Sequence, residues 1–369
     1  MSVEPVPSPD KWGGLSSGLT THPRKNGTVT ETNIEPRNRT NLMGNDSDRI
    51  HGRLNWKTPL KIGSWNVRSL FRPGYAKSVT EEMSKYNLDI MTMQEVRWPG
   101  SGECKIDKHS IIYSGRKDDY HWEGVGVCLN EKARKALISV QAVNERLIKL
   151  RLCCTWLKRT LIVGYAPIND SQDDSKDKFY DQLQELTVNT PKHDILIIAG
   201  DMNAKVGRET DAFAPAIGKE SVHVQSNDNG IRLASYANIN NLIIGGTLFP
   251  HRDIHKISWI SADGDTHNQI DHILINRKFR SALQDVRSYR GADCDTDHHL
   301  VIAKVKVRLK MNKNQRSFKR PMYDLEKLNV ERTCSEYQVN LQNRFSTLGV
   351  MEEEEKETSI DEDWKEWNR

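Results

Sequence analysis

A chain of 369 residues is long enough for two or three domains, and it fits one large α/β domain with unstructured flanks equally well. Its formal charge of +4, from 54 basic and 50 acidic side chains, is compatible with a nucleic-acid ligand without demanding one, so function has to come from motifs. There is no run of about eighteen apolar residues, no signal-like N-terminus and no CxxC pair among the six cysteines, which predicts a soluble intracellular protein, outside the membrane, with reduced and mostly buried thiols.

Residues 1–58, rich in Pro, Gly, Ser, Thr and Asn and without apolar periodicity, read as a disordered tail. From Leu60 onward short apolar runs alternate with amphipathic stretches, and residues 59–309 read as one folded domain. Strands are predicted over 61–67, 88–93, 124–129, 161–165, 195–199, 242–246, 257–260 and 270–275, and helices over 77–86, 176–188 and 230–240. Residues 300–302 lead into a strict alternation over 303–309, the mark of a strand with one wet face. Residues 310–369 read as a charged linker: the basic cluster Lys310, Lys313, Arg316, Lys319 and Arg320, a helical stripe of Tyr337, Leu341, Phe345 and Leu348, then acidic residues from Glu352 to Glu355. That basic cluster is either solvated or in contact with nucleic-acid phosphate.

Polar residues recur where the apolar strands break off. Trp65-Asn66, Gln94-Glu95, Tyr165-Ala166-Pro167 and Gly200-Asp201-Met202-Asn203 lie in or at the ends of strands, Asp271-His272 lies inside one, and Thr296-Asp297-His298 precedes the last. A sheet can gather such residues into one cleft. Singly, most have a plain reading: Asn66 as a strand-end amide, Glu95 as a solvated acid, Tyr165 as a half-buried aromatic, the Gly-Asp-Met-Asn run as a turn. Asp271 is the exception, because an acid flanked by Ile270, His272 and Ile273 is costly to bury unless it is paired or binds a metal.

Hydrolysis of a phosphate ester uses such a set. Mg²⁺ prefers oxygen ligands and keeps several waters, so a carboxylate such as Glu95 suffices to hold it against a phosphate, whose oxygens it polarises. Asn66, Asn203, Tyr165 and a protonated His298 can donate to oxygens whose charge grows in the transition state. Asp201 can orient or deprotonate the attacking water, and a hydrogen bond from His298 to Asp271 would keep the imidazole oriented and cationic. His251 and His255, at HxxxH spacing, give a zinc site only thin support, and no glycine-rich Walker loop is present.

Taken in order, Trp65-Asn66, Gln94-Glu95, Gly164-Tyr165-Ala166-Pro167, Gly200-Asp201-Met202-Asn203, Ser258-Trp259, Gln269-Ile270-Asp271-His272-Ile273 and Thr296-Asp297-His298 resemble the motif series of the endonuclease/exonuclease/phosphatase superfamily. In finer detail, Glu95-Val96-Arg97-Trp98, the Gly245 to His251 run and His255-Lys256-Ile257-Ser258-Trp259 resemble the endonuclease domain of RTE/BovB-type non-LTR (LINE) retrotransposons and the craniofacial development protein 2-like group. The resemblance implies a four-layer α/β sandwich with two facing sheets. It implies that Glu95 binds Mg²⁺, or Mn²⁺ in its place, with support from Asn66 and with Asp297 beside the metal. By the same matching, Asp201 activates or orients the water, Asn203 and Tyr165 hold the scissile phosphate with Ser258 near it, and Asp271 orients His298 against the pentavalent transition state. Arg68 stands where many repair enzymes of the superfamily carry an acid, which argues against the abasic-site repair branch.

The expected function is therefore a metal-dependent DNA endonuclease that leaves a 3′-hydroxyl. Arg68, Arg97, Lys256 and Arg252 are expected along the DNA backbone. A monomer, and a reverse transcriptase as partner in a parent element, are expected; a nuclear place of work is compatible with the sequence but not shown by it, since the basic pair Arg24-Lys25 is too short to count as a nuclear signal. Competing expectations are another superfamily phosphodiesterase or phosphatase, acting on RNA, inositol phosphates or sphingomyelin, and a catalytically silent nucleic-acid-binding or interaction protein.

Overall fold

The computed structural model describes residues 54–55, 58–118, 120–307 and 325–352. The expected tail up to residue 53 and the basic cluster of Lys310 to Arg320 lie outside the described residues. The chain divides into two units, Met1–Arg308 and Leu309–Arg369.

In the first unit the chain lays down β1 (Leu60–Asn66), α1 (Tyr75–Lys85), β2 (Ile90–Gln94), β3 (Ser101–Ile106), β4 (His109–Ser114), β5 (Val125–Leu129) and α2 (Glu131–Lys135). There follow β6 (Leu137–Ala142), β7 (Leu147–Leu152), β8 (Arg159–Tyr165), α3 (Asp173–Val188), β9 (Ile195–Asp201), α4 (Thr210–Phe213), α5 (Asp228–Ile239) and β10 (Leu242–Ile244). A two-stranded ribbon, β11 (Trp259–Ile260) and β12 (His267–Asn268), precedes β13 (Asp271–Asn276), β14 (Leu283–Tyr289) and β15 (Leu300–Val305). One sheet has the order β14-β15-β1-β2-β5-β4-β3 and the other β10-β13-β9-β8-β7-β6, with β1–β2 and β8–β9 parallel.

Period-two alternation decides the layers. Leu60 and Ile62 of β1, Leu161 and Val163 of β8, Ile195, Ile197 and Ala199 of β9, and Ile273 and Ile275 of β13 share the core between the sheets. The opposite faces pack Trp65 on Val79 and Met83 of α1, and Ile198 and Leu274 on Leu183 of α3 and Leu233 of α5. The result is helix on sheet on sheet on helix, and each fully buried Leu or Ile favours it by about 1.5–3 kcal/mol. Counting by twos from the inter-sheet positions arrives at Asn66, Tyr165, Asp201 and Asp271. Four polar residues therefore point into the gap between the sheets at the edge where β1, β8 and β9 end and β13 begins.

Several predicted elements need correction. The strand expected over 242–246 stops at Ile244, because Gly245–Thr247 turn into a 3-10 helix in which Thr247 Oγ1 donates to the Ile244 carbonyl at 2.8 Å. The strand over 257–260 shrinks to Trp259–Ile260. The last strand is Leu300–Val305, and it has no wet face: Val301 and Ala303 enter the inter-sheet core, Leu300 and Ile302 face the α1 layer, and Lys304 alone is half-buried. Strands β3, β4, β6, β7, β12 and β14 were not foreseen: β3, β6 and β14 lie at sheet edges where solvent tolerates polar sequence, and the interior strands β4 and β7 mix polar residues among their apolar ones. Cys128, Cys154 and Cys294 are buried and all six cysteines are unpaired.

The second unit holds a 3-10 turn (Leu325–Asn329) and α6 (Glu331–Glu352), on which Tyr337 and Phe345 are exposed. Among the described residues no helix is long and apolar enough to cross a membrane.

Candidate active site

The end of β9 and the start of β13 are in antiparallel register, so Asp201 and Asp271 are direct cross-strand neighbours, both almost wholly buried. His298, in the loop before β15, fits against them: Nδ1 donates to Asp271 Oδ2 at 3.0 Å and Nε2 lies 3.9 Å from Asp201 Oδ2. The loop is pinned from both sides. Trp65 Nε1 donates to the His298 carbonyl at 2.9 Å, and Thr296 Oγ1 donates to the Asn66 carbonyl at 2.8 Å.

Asn66 ties this trio to a second acid. Its Nδ2 donates to Glu95 Oε1 at 2.9 Å and to Asp201 Oδ2 at 3.0 Å, while its Oδ1 accepts from the Arg68 amide at 3.0 Å. By simple alternation Glu95 would follow Met91 and Met93 onto the outer face of the sheet. It does not, because it lies one residue past β2 with a left-handed backbone at φ 53°, which turns the carboxylate inward. Tyr165 Oη donates to the same Glu95 Oε1 at 3.1 Å, and Arg97 donates to Oε2 at 2.6 Å. Arg68, Arg97 and Asn203 share the left-handed region, at φ 54°, 59° and 46°. Four non-glycine residues in this sparsely populated conformation around one pocket mark backbone held in place by its surroundings.

Electrostatics divide the roles. Burial and the adjacent Asp271 push the Asp201 carboxyl up to about 7, against the opposing pull of His298. Burial alone would lower the His298 imidazolium, but Asp271, by charge and hydrogen bond, with Asp201 and Asp297, outweighs it and holds the group up at about 9. Burial, then the charges of Glu95 and Asp201, keeps the Tyr165 phenol far above its ordinary value, so it remains a donor.

The family resemblance implies a divalent metal, and the donor set fits one. Glu95, Asp201 and Asp297 offer carboxylate oxygens, the hard-ligand chemistry of Mg²⁺ or Mn²⁺, and Asp297 Oδ1 and Asp271 Oδ1 are buried without a hydrogen-bond partner. Asp201, Asp271 and His298 also bring ligand atoms within 4.8 Å of one another. That trio is the poorer metal site, since an imidazole charged at neutral pH has protons on both nitrogens and no lone pair to give.

Arg68, Glu95, Arg97, Tyr165, Asp201, Asn203, Asp297 and His298 line one pocket, with Asn66 and Asp271 behind it. Asn203 Nδ2 donates to the Ala166 carbonyl at 3.0 Å and its amide to Asp201 Oδ1, which leaves the second Nδ2 hydrogen without a protein acceptor among the described residues. Three predicted residues are placed otherwise. Ser258 is fully buried, its Oγ accepting from the amides of Ile270 and Asp271 at 3.0 Å each, so it holds the Asp271 backbone and lies outside the pocket lining. Lys256 is buried and paired with Glu220 at 3.3 Å, and Arg252 is exposed outside the pocket lining. The zinc alternative also fails, as His251 bonds Asp285 and His255 meets Arg287.

Sequence reading missed Arg146, which lies over the Tyr165 ring at 5.2 Å and donates to its carbonyl, and Asn229, whose Nδ2 donates to the carbonyls of Pro167 and Asn203. It also missed Lys205 and Asn227 in the pocket wall. Neither Arg146 nor Asn229 belongs to a strand-end cluster, and nothing local distinguished them.

The model of the Endonuclease/Exonuclease/phosphatase family matches residues 63–298. Craniofacial development protein 2 of Bos taurus is 38% identical over 251 residues, which are 68% of this chain and 41% of that protein. The chain thus spans about two fifths of the length of that relative. Among solved structures, a 3′-5′ exonuclease (NExo) from Neisseria meningitidis is 20% identical with a TM-score of 0.51, over 67% of this chain and 100% of the other, which shows the shared fold. The endonuclease domain of TRAS1, a telomere-specific non-LTR retrotransposon, is 13% identical with a TM-score of 0.49, over 68% of this chain and 100% of that one.

Proposed function

The chain belongs to the endonuclease/exonuclease/phosphatase family, and from that premise we propose that it is a Mg²⁺-dependent DNA endonuclease of the non-LTR retrotransposon kind, leaving a 3′-hydroxyl at the nick. One observation carries the reading: the Asn66 amide joins Glu95 and Asp201, and the second of these adjoins the Asp271–His298 pair, with Glu95, Asp201 and His298 lining one pocket and Asn66 and Asp271 directly behind it. A structural ion pair would need no such convergence of acid, amide, phenol and imidazolium.

Glu95 and Asp297 would hold the metal, with Asn66 orienting Glu95. Once bound, Mg²⁺ supplies Lewis-acid polarisation of the phosphoryl oxygens. The rest falls to the chain's own groups. Asp201, near 7, accepts a proton from the attacking water as its oxygen bonds to phosphorus and the bond to the 3′ oxygen breaks, and the departing 3′ oxygen takes a proton from solvent to become the hydroxyl. Asn203 N–H keeps Asp201 aimed, and Tyr165 and Asn203 position the phosphate. His298 Nε2 donates to the oxygen whose charge grows, while Asp271 holds the ring in one orientation. Arg68 and Arg97 at the rim would meet flanking backbone phosphates. The 3′-hydroxyl is the end that a reverse transcriptase of a parent element would extend.

The test is relaxation of supercoiled plasmid by purified protein with and without Mg²⁺. Wild type should convert supercoiled to nicked circles only with metal, and Glu95→Ala and His298→Ala should not. Equal behaviour of all three proteins would end the proposal.

A further inference from the structure

The wall of the pocket formed by Arg97 continues into a pair of rings in tilted contact that the chemistry above does not use. The Arg97 carbonyl accepts from His121 Nδ1 at 2.9 Å, and the His121 ring lies against Phe71 with centroids 4.3 Å apart. Phe71 is nevertheless 59% exposed, and Trp122, the residue after His121, is 73% exposed.

This exposure is built into the loops. Leu70, just before Phe71, is buried, its amide donating to the Val96 carbonyl at 3.0 Å and its carbonyl accepting from Trp98 Nε1 at 3.0 Å. The Phe71 amide donates to Ser69 Oγ at 3.0 Å. On the other loop, the carbonyls of Glu123 and Gly124 accept from the amides of Arg97 and Val96 at 2.9 and 3.0 Å. Gly124, at φ 122°, has the backbone freedom this close approach requires. Locked neighbours on both sides hold an aromatic face outward at considerable apolar cost.

Charge indicates what would cover it. Arg68 and Arg72, three residues before Phe71 and one after, are exposed; they meet Asp297 and Asp295 at 3.5 Å each, contacts weak enough to be exchanged for phosphate, and Arg72 also donates to Tyr75 Oη at 3.1 Å. An aromatic face among arginines, one step from a phosphodiester pocket, fits a nucleobase with its flanking phosphates. We propose that the Phe71–His121 pair, its rings in tilted contact, is a shelf for one unstacked nucleobase next to the scissile phosphate, which selects polynucleotide over simple phosphodiesters. This rests on the nuclease reading.

The experiment measures binding of a fluorescent single-stranded oligonucleotide by anisotropy, alongside an oligomer of equal length with a baseless sugar-phosphate backbone. Phe71→Ala should weaken binding of the first on the order of tenfold and leave the second unchanged, and Phe71→Trp should restore wild-type affinity. Hydrolysis of bis(p-nitrophenyl) phosphate, which has no base to stack, should be unchanged in both variants. Equal affinities of wild type and Phe71→Ala, or an equal loss on the baseless oligomer, would overturn the shelf. Base-dependent binding without hydrolysis of any phosphodiester by wild type would overturn the nuclease reading and leave the shelf standing.

Discussion

Asp201 and Asp271 face one another in register across β9 and β13, two acids on the buried face of a sheet. Directly opposed like charges repel, and burial makes the repulsion larger. The arrangement holds because the His298 cation lies 3.0 Å from one and 3.9 Å from the other. The fold therefore carries a local cost at this edge, as sites built for chemistry often do.

That cost gives a stability prediction. The folded carboxyl of Asp201 is raised from 3.8 to about 7, so its contribution to stability is complete below the unfolded value and is lost as pH rises through about 7. At pH 8 without divalent metal, Asp201→Asn should melt about 2–4 °C above wild type while nicking falls on the order of 10²–10⁴-fold. Scanning calorimetry at pH 8 checks the first half, and a lower melting temperature for the variant would contradict it.

His298 makes the pH profile specific. Its imidazolium is held up at about 9, so cleavage that needs the charged form should persist to about pH 9 and then decline. Asp271→Asn removes the largest raising influence. Its alkaline limb should move to lower pH, with kcat reduced on the order of 10²–10⁴-fold. Rate profiles of the two proteins from pH 6 to 10 decide the point, and superimposable limbs would show that Asp271 does not set the charge.

If Glu95 is the principal metal ligand, Mg²⁺ should raise the melting temperature of wild type and leave Glu95→Gln unmoved. The amide can still accept from Asn66 Nδ2 and Tyr165 Oη, so the variant should fold. Thermal melts across a Mg²⁺ titration measure this. An equal rise in both proteins would move the metal away from Glu95.

Two supports behind the site should act through backbone. Trp65→Phe leaves the His298 carbonyl without its indole donor, and Ser258→Ala leaves the buried amides of Ile270 and Asp271 without an acceptor. Each substitution should lower unfolding free energy by about 1–3 kcal/mol, read from urea denaturation, and reduce nicking as well. Full activity in Ser258→Ala would show that the Asp271 backbone needs no such anchor.

The amino-acid sequence by itself determined the strands β1, β8, β9 and β13 that carry the site and the side of them on which Asn66, Tyr165, Asp201 and Asp271 project, because alternation with period two is a property of each strand alone. It also placed polar residues where apolar runs break off. It did not show the edge strands β3, β6 and β14, whose solvent-facing sequence is too polar to stand out, nor the interior strands β4 and β7, in which polar residues interrupt the apolar ones. Tertiary structure alone decided that Asp201 meets Asp271 in register and that His298 reaches both. It turned Glu95 inward against its own periodicity through a left-handed backbone, and it buried Ser258 and Lys256 away from the pocket. Those outcomes depend on hydrogen bonds and packing between segments far apart in the chain, and no local pattern of residue types encodes where such segments meet.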